Sequence, residues 1–230
     1  MLAPERWSTF DGLVCGFGDR ETSAPPSTLL LRRQVHGDAV VDAAVTATDD
    51  RIHHDGFARL AADADAAIVA AAGLIAGVRT ADCVPVLLVA PKRHWAAAVH
   101  AGWRGTMAEI VVRAVEIAAG AGVAAESLEA ALGPSIGPCC YEVSEELGDR
   151  FAAAGHAVVT RAGSQPRLDL RAINARLLER AGVNPASIQF YGPCTRCACD
   201  RYHSFRADPQ SQGRQISWIG WQDRKQPPDR

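Results

Sequence analysis

VPVLLVAPKRHWAAAVHAGWRGTMAEIVVRAVEIAA, residues 84–119, decides the fold class. Its first part holds two short apolar runs, Val84–Val89 and Ala96–Val99. Apolar runs of this length between turn signals read as strands. The period then changes. Ile110, Val111, Ala114, Val115 and Ala118 recur at helical spacing, which predicts a helix over Thr106–Ala119. Strand, strand, glycine-rich turn and helix in close succession point to a mixed architecture.

The segments on either side agree. Leu29–Arg33, Val40–Val45, Ile68–Ala70 and Leu74–Val78 read as earlier strands, and Leu128–Leu132 reads as a later one closed by Gly133-Pro134. Ser144 suits the N-cap of a helix reaching about Ala154, with Glu145 and Glu146 in its first turn. Asp169 caps another helix, with Leu170, Ile173, Leu177 and Leu178 on one face and Gly182 at its end. Ile188–Tyr191 and Gln215–Ile219 supply late strands. The expectation is one α+β domain over residues 1–230, made of layered sheets and helices, with a polar tail at 222–230 that frays.

Hydrophobic residues form 48% of the 230-residue chain and charged residues 22%, so it can bury a core without staples. The net charge of −2 offers no global attraction for nucleic acid or an anionic membrane, which leaves a local basic pocket as the route to anions. No apolar run approaches the roughly 20 residues of a spanning helix. The start, MLAPERWSTFDG, lacks a basic segment followed by an apolar one, so a cytoplasmic protein is expected. In that compartment the seven cysteines read as thiols or metal ligands rather than bridges.

Three segments carry metal-capable side chains beside glycine or at strand ends: Gln34-Val35-His36-Gly37, Ala81-Asp82-Cys83-Val84 and Val99-His100-Ala101-Gly102. Ends of neighbouring strands converge, so the three can meet. Two imidazoles and one thiolate suit zinc, and three protein ligands leave a fourth position for water or substrate. Spacing alone is a weak signal, because a lone histidine at a strand end is usually a satisfied core or surface group.

QVHG (34–37), TADCVPVLL (80–88), HAGWRGT (100–106) and LGPSIGPCCYEV (132–143) resemble the successive signature blocks of the YfiH-like family. That family is variously labelled laccase-domain, polyphenol oxidase, peptidoglycan editing factor or purine nucleoside phosphorylase. Tyr202-His203-Ser204-Phe205-Arg206 is similar to its late aromatic-Ser-aromatic-Arg block, and the resemblance spans about Thr28 to Trp218. It implies an α/β/β/α sandwich with mixed sheets and a single catalytic Zn²⁺ held by His36, Cys83 and His100. Copper fits poorly, because a trinuclear cluster needs many more histidines than the seven present. The start departs from the family, since Val14–Arg20 leads almost directly to Leu29 and the N-terminal region looks abbreviated.

Other candidates surround these. Asp82, Arg104 and Glu142 are the candidate catalytic groups. Asp82 or Glu142 would move a proton, and Arg104, in a glycine-rich turn before a helix, would bind phosphate. Gln34, Asp65, Arg79 and Arg206 are the candidate substrate-binding residues. Asp65 lies within an apolar segment, where a carboxylate needs a partner. Gln34 equally suits pairing with backbone. Cys194, Cys197 and Cys199, with His203, form a competing metal signal, although the block also reads as a loop of free thiols.

The resemblance implies phosphorolysis of adenosine, inosine or 5′-methylthioadenosine, with adenosine deamination as a second activity. The partners would be a purine nucleoside and phosphate, with no nucleic acid and no membrane. Hydrolytic editing of a peptidoglycan precursor would use the same ligands. A metal-free cysteine hydrolase would use Cys83 as nucleophile and His100 as base.

Overall fold

The computed structural model describes residues 2–46, 48–49, 55–159 and 165–222, so the expected fraying of the tail beyond Gln222 lies outside the described residues. The strands are β1 (Leu13–Phe17), β2 (Thr28–Arg33), β3 (Val40–Asp42), β4 (Thr48–Asp49), β5 (Arg59–Asp63), β6 (Ala66–Val69) and β7 (Ile75–Thr80). They continue with β8 (Val84–Ala90), β9 (Trp95–Ala101), β10 (Glu129–Leu132), β11 (Val158–Val159), β12 (Arg167–Leu168), β13 (Ile188–Phe190) and β14 (Gln215–Trp221). The helices are α1 (Trp103–Met107), α2 (Ile110–Gly120), α3 (Glu145–Ala153) and α4 (Leu170–Arg180).

Two six-stranded mixed sheets stack on each other. The first runs β1-β14-β7-β2-β5-β4 and the second β13-β10-β8-β9-β6-β3, with β11-β12 as a separate pair. The apolar run of β8 explains itself in this setting. Val84, Val86 and Leu88 face the cluster that holds α2 and α4, while Leu87 and Val89 face the cluster between the sheets. A strand buried on both faces has no polar alternation. In β9 the same division puts Ala97 and Val99 under the helices, and Ala96 and Ala98 against Ala76 and Val78 of the first sheet. These alanines let the sheets approach closely. Emptying a fully buried site such as Leu87 by substitution with alanine costs about 2–5 kcal/mol.

The expected α+β fold with layered mixed sheets is the observed one. The helices α2, α3 and α4 pack on the second sheet. The outer face of the first sheet carries Leu30, Ile75, Ile216 and Trp218, covered by Ala24 and Phe57 from connecting segments rather than by a helix among the described residues.

Both later helix caps are as expected. Ser144 Oγ accepts from Leu147 N at 3.3 Å, and Asp169 Oδ1 accepts from Ala172 N at 3.0 Å. The helix expected over Thr106–Ala119 is instead broken in two. Glu109 takes a left-handed φ of 57° between α1 and α2, and its carboxylate pairs with Arg180 of α4. The apolar periodicity belongs to α2 alone. Strands β1 and β5 lie in the first sheet at segments without a clear apolar alternation.

One topological feature positions the site. β2 and β7 are adjacent and parallel, so their C-terminal ends lie side by side. After β7, only Ala81, Asp82 and Cys83 separate the first sheet from β8 in the second. Such a short crossover needs an unusual backbone, and Asp82 supplies it with a φ of 90°.

Candidate metal centre

His36 follows the end of β2, Cys83 fills the crossover after β7, and His100 sits at the end of β9. Their ligand atoms all lie within 4.8 Å of one another. The two imidazole rings meet edge to face, with centroids 4.8 Å apart and planes at 83°. The structure thus gathers three side chains separated by up to 64 positions in the sequence onto one end of the sandwich.

Asp65 organises this arrangement. It is fully buried, and its carboxylate accepts from the backbone N–H groups of Val35, His36 and Gly37 at 3.2, 2.9 and 2.7 Å. That triple acceptor stabilises the left-handed turn at His36, where φ is 60°. The same carboxylate lies 2.7 Å from His100 Nδ1. With Nδ1 committed to Asp65, Nε2 is the His100 nitrogen left for a metal. Asp65 was expected to bind substrate. Its burial behind His36 and His100 argues against that role, because it holds these two residues and does not line the cavity that opens onto the cluster.

Glycine makes the close approach possible. A Cβ on Gly102 would lie 3.0 Å from Cys83 Sγ and 3.2 Å from His36 Cδ2. A Cβ on Gly105 would lie 2.9 Å from the Gly37 carbonyl oxygen. The glycines of HAGWRGT therefore let α1 close over both ligand turns.

The electrostatics suit a cation. Burial pushes the Cys83 thiol up, yet His100 and His36 beside it more than reverse that and hold it at about 6. Burial lowers His100, but Asp65 and then Cys83 raise it to about 9. Both shifts favour a thiolate beside an imidazolium, a pair whose shared proton a metal ion could replace. The donor set, the preformed turn and the missing Cβ at Gly102 together fit a metal ion, and this His/Cys cluster could hold one.

A cavity of about 630 Å³ opens onto the cluster. Its wall carries five arginines: Arg33, Arg79, Arg104, Arg206 and Arg214. Trp103, Tyr141 and Phe205 supply aromatic surface in the same cavity. Arg104 stacks over Trp103 at 4.2 Å and Arg206 over Tyr141 at 5.2 Å, which braces both guanidinium groups. Arg206 also donates from Nη1 to the Glu142 carbonyl at 2.8 Å. Arg79 is held below the usual arginine value by burial, then by Arg59 and Arg214, with Asp55 opposing them.

The remaining candidates divide. Gln34 lines the cavity, but its amide is committed to the Arg79 backbone, donating to O and accepting from N at 2.8 Å each. Asp82 also lines the cavity. Its Oδ1 accepts from Thr195 Oγ1 and its Oδ2 from Arg206 N, both at 2.7 Å. Such a carboxylate anchors the loop that carries Arg206. Glu142 is displaced from its expected catalytic role, since it does not line the cavity and its exposed carboxylate pairs with Arg167. Arg167 holds it below the ordinary glutamate value.

The sequence reading left out Arg33, Arg214 and Tyr141, which line the cavity. Tyr141 had a signal in its place directly after Gly-Pro-Cys-Cys, and Arg214 had one in Gly213-Arg214-Gln215, which follows the late aromatic-Ser-aromatic-Arg block. Cys199 and His203 stand outside the cysteine cluster that does form, which joins Cys194 and Cys197 to Cys139 and Cys140.

The layered α+β sandwich thus carries a His₂Cys cluster that could hold a metal ion, beneath an arginine-lined cavity. A family model described as multi-copper polyphenol oxidoreductase laccase matches residues 19–222, and the chain belongs to this YfiH-like, laccase-domain family. It is 35% identical over 198 residues to "Adenosine deaminase RL5" from an unknown prokaryotic organism, covering 83% of this chain and 74% of that one. It is 37% identical over 203 residues to a purine nucleoside phosphorylase of Xylella fastidiosa, covering 85% and 74%. The crystal structure of YlmD from Geobacillus stearothermophilus superposes with a TM-score of 0.79 at 25% identity, covering 93% of both chains. That of the Bacillus licheniformis hypothetical protein YfiH gives 0.74 at 27%, covering 88% and 77%. Among the described residues no helix is long and apolar enough to cross a membrane.

Proposed function

We propose that the chain is a zinc-dependent purine nucleoside phosphorylase, acting on adenosine, inosine or 5′-methylthioadenosine, with adenosine deamination as a second activity. The observation that carries this reading is the five-arginine wall standing over the His36–Cys83–His100 cluster. A phosphate dianion needs such a wall, and a neutral organic substrate alone does not. The names of the two relatives supply the substrate class.

His36, Cys83 and His100 would hold the ion. Zinc suits two imidazoles and a thiolate and supplies Lewis-acid polarisation when bound. Arg104 and Arg206, braced on their aromatic partners, bind phosphate and orient one oxygen towards the sugar C1′. Trp103, Tyr141 and Phe205 offer faces for the purine. In phosphorolysis a C1′–O bond forms as the C1′–N9 bond breaks. The bonding pair leaves with the purine, which takes up a proton. Asp82 keeps Arg206 in place through its backbone N–H rather than moving that proton itself.

The test is product analysis with inosine and phosphate. Hypoxanthine and ribose 1-phosphate are expected, with turnover abolished in His36→Ala and slowed in Arg104→Ala. Full activity in both variants would dispose of the scheme. One observation favours a second reading. Cys83 lies beside His100, which together with His36 holds its thiol at about 6, as a cysteine hydrolase requires. That enzyme would work without metal and lose activity on alkylation of Cys83. Assay of the same protein on a peptidoglycan precursor checks the editing alternative.

A further inference from the structure

Away from the cavity cluster, the turn Gly137–Tyr141 after β10 faces the turn Cys194–Cys199. Cys139, Cys140, Cys194 and Cys197 bring four sulfurs within 4.8 Å of one another. Cys139 Sγ lies 3.6 Å and Cys140 Sγ 3.4 Å from Cys197 Sγ. Four sulfurs placed tetrahedrally around zinc at Zn–S near 2.3 Å are about 3.8 Å apart. The observed spacing is already close to that of a filled site, and far from the roughly 2.05 Å of a disulfide.

The backbone is organised around these sulfurs. Gly137 N donates to Cys194 Sγ at 3.2 Å, an N–H···S bond that stabilises a thiolate. Gly137 O accepts from both Cys140 N and Tyr141 N at 2.9 Å, which folds the two adjacent cysteines into one tight turn. Ala198 N donates to Cys194 O at 3.0 Å and closes the opposite turn. The two turns are joined by Thr195 N donating to Ser135 O at 3.0 Å.

We propose that Cys139, Cys140, Cys194 and Cys197 form a second, structural zinc site that staples these two turns together. Four protein thiolates close the coordination sphere, so the ion takes no substrate. The staple lies behind one wall of the cavity. Tyr141 follows Cys140, and Thr195, one residue after Cys194, holds Asp82 and through it Arg206. The site is independent of the activity proposed above.

The test is zinc quantification on the full chain, purified under reducing conditions and loaded with zinc alone, free metal removed. Wild type is expected to hold two ions per chain. His36→Ala/His100→Ala retains one, and so does Cys194→Ser/Cys197→Ser. Cobalt in the histidine double variant is expected to show intense thiolate-to-metal charge transfer. A histidine double variant without metal, or a cysteine double variant with both ions, would overturn the proposal. If the variants fail to fold, alkylation of wild type decides. Cys139 and Cys197, both exposed, are expected to react at least tenfold faster after chelation. Equal rates, or an intact mass lighter by the two hydrogens of a disulfide, would overturn it as well.

Discussion

Asp65 Oδ1 lies 2.7 Å from His100 Nδ1, in a carboxylate that also accepts the backbone N–H groups around His36. One buried charge therefore sets the orientation of one imidazole and the backbone of the other. Asp65→Asn keeps the shape but turns an acceptor into a group with two donors. It is expected to weaken zinc binding by about 10–100-fold, read by chelator competition. Stability should fall by about 1–3 kcal/mol as buried donors lose their acceptor. Unchanged affinity would remove Asp65 from the centre.

Gly102 is a second, purely steric lever. Its φ of −76° is open to any residue, so Gly102→Ala introduces no backbone strain. The new methyl would press on Cys83 Sγ and His36 Cδ2. The expected outcome is at least a tenfold loss of zinc affinity with thermal stability of the metal-free protein nearly unchanged. Equal loss in both would point to general disruption of the turn.

The arginine wall predicts a split in kinetic constants. Arg104→Ala is expected to raise the KM for phosphate by about tenfold or more, equivalent to at least about 1.4 kcal/mol, while the KM for nucleoside moves little. Glu142→Gln should leave both constants within about twofold, because that carboxylate stands outside the cavity and faces Arg167. A large effect at Glu142 would restore the general-acid role that its position argues against.

Acid stability has a separate source. Burial raises the Asp19 carboxyl, but the Thr22 backbone N–H, Arg201 and the Glu21 backbone N–H outweigh this and hold it at about 2. The folded value is below the unfolded one of about 3.9, so the contribution is complete above that value and disappears as pH falls towards about 2. Denaturant titrations between pH 5 and 2 should show a steeper loss in wild type than in Asp19→Asn. Parallel profiles would contradict this.

Much of the architecture was readable in the chain. The doubly buried strand β8, the capped helices α3 and α4 and the glycines of HAGWRGT all follow from local pattern. What escaped was decided by distant partners. Glu109 breaks its helix beside Arg180, and β1 gains its place by pairing with β14. Asp65 and Glu142 were both recognised as conspicuous carboxylates, yet only burial and pairing separate a ligand-holding group from a surface ion pair. Cys194 and Cys197 suggested a metal, but their neighbours are Cys139 and Cys140, more than fifty positions away, rather than the nearby Cys199 and His203.

In the proposed function, His36, Cys83 and His100 hold a zinc ion that nucleoside cleavage requires. The most direct measurement is the rate of inosine phosphorolysis against zinc content at this site, titrated into metal-free Cys194→Ser/Cys197→Ser protein so that the cysteine cluster takes no ion. No turnover is expected at zero zinc, with a rate that rises linearly to a plateau at one ion per chain. Full turnover in the metal-free protein would contradict the proposed function.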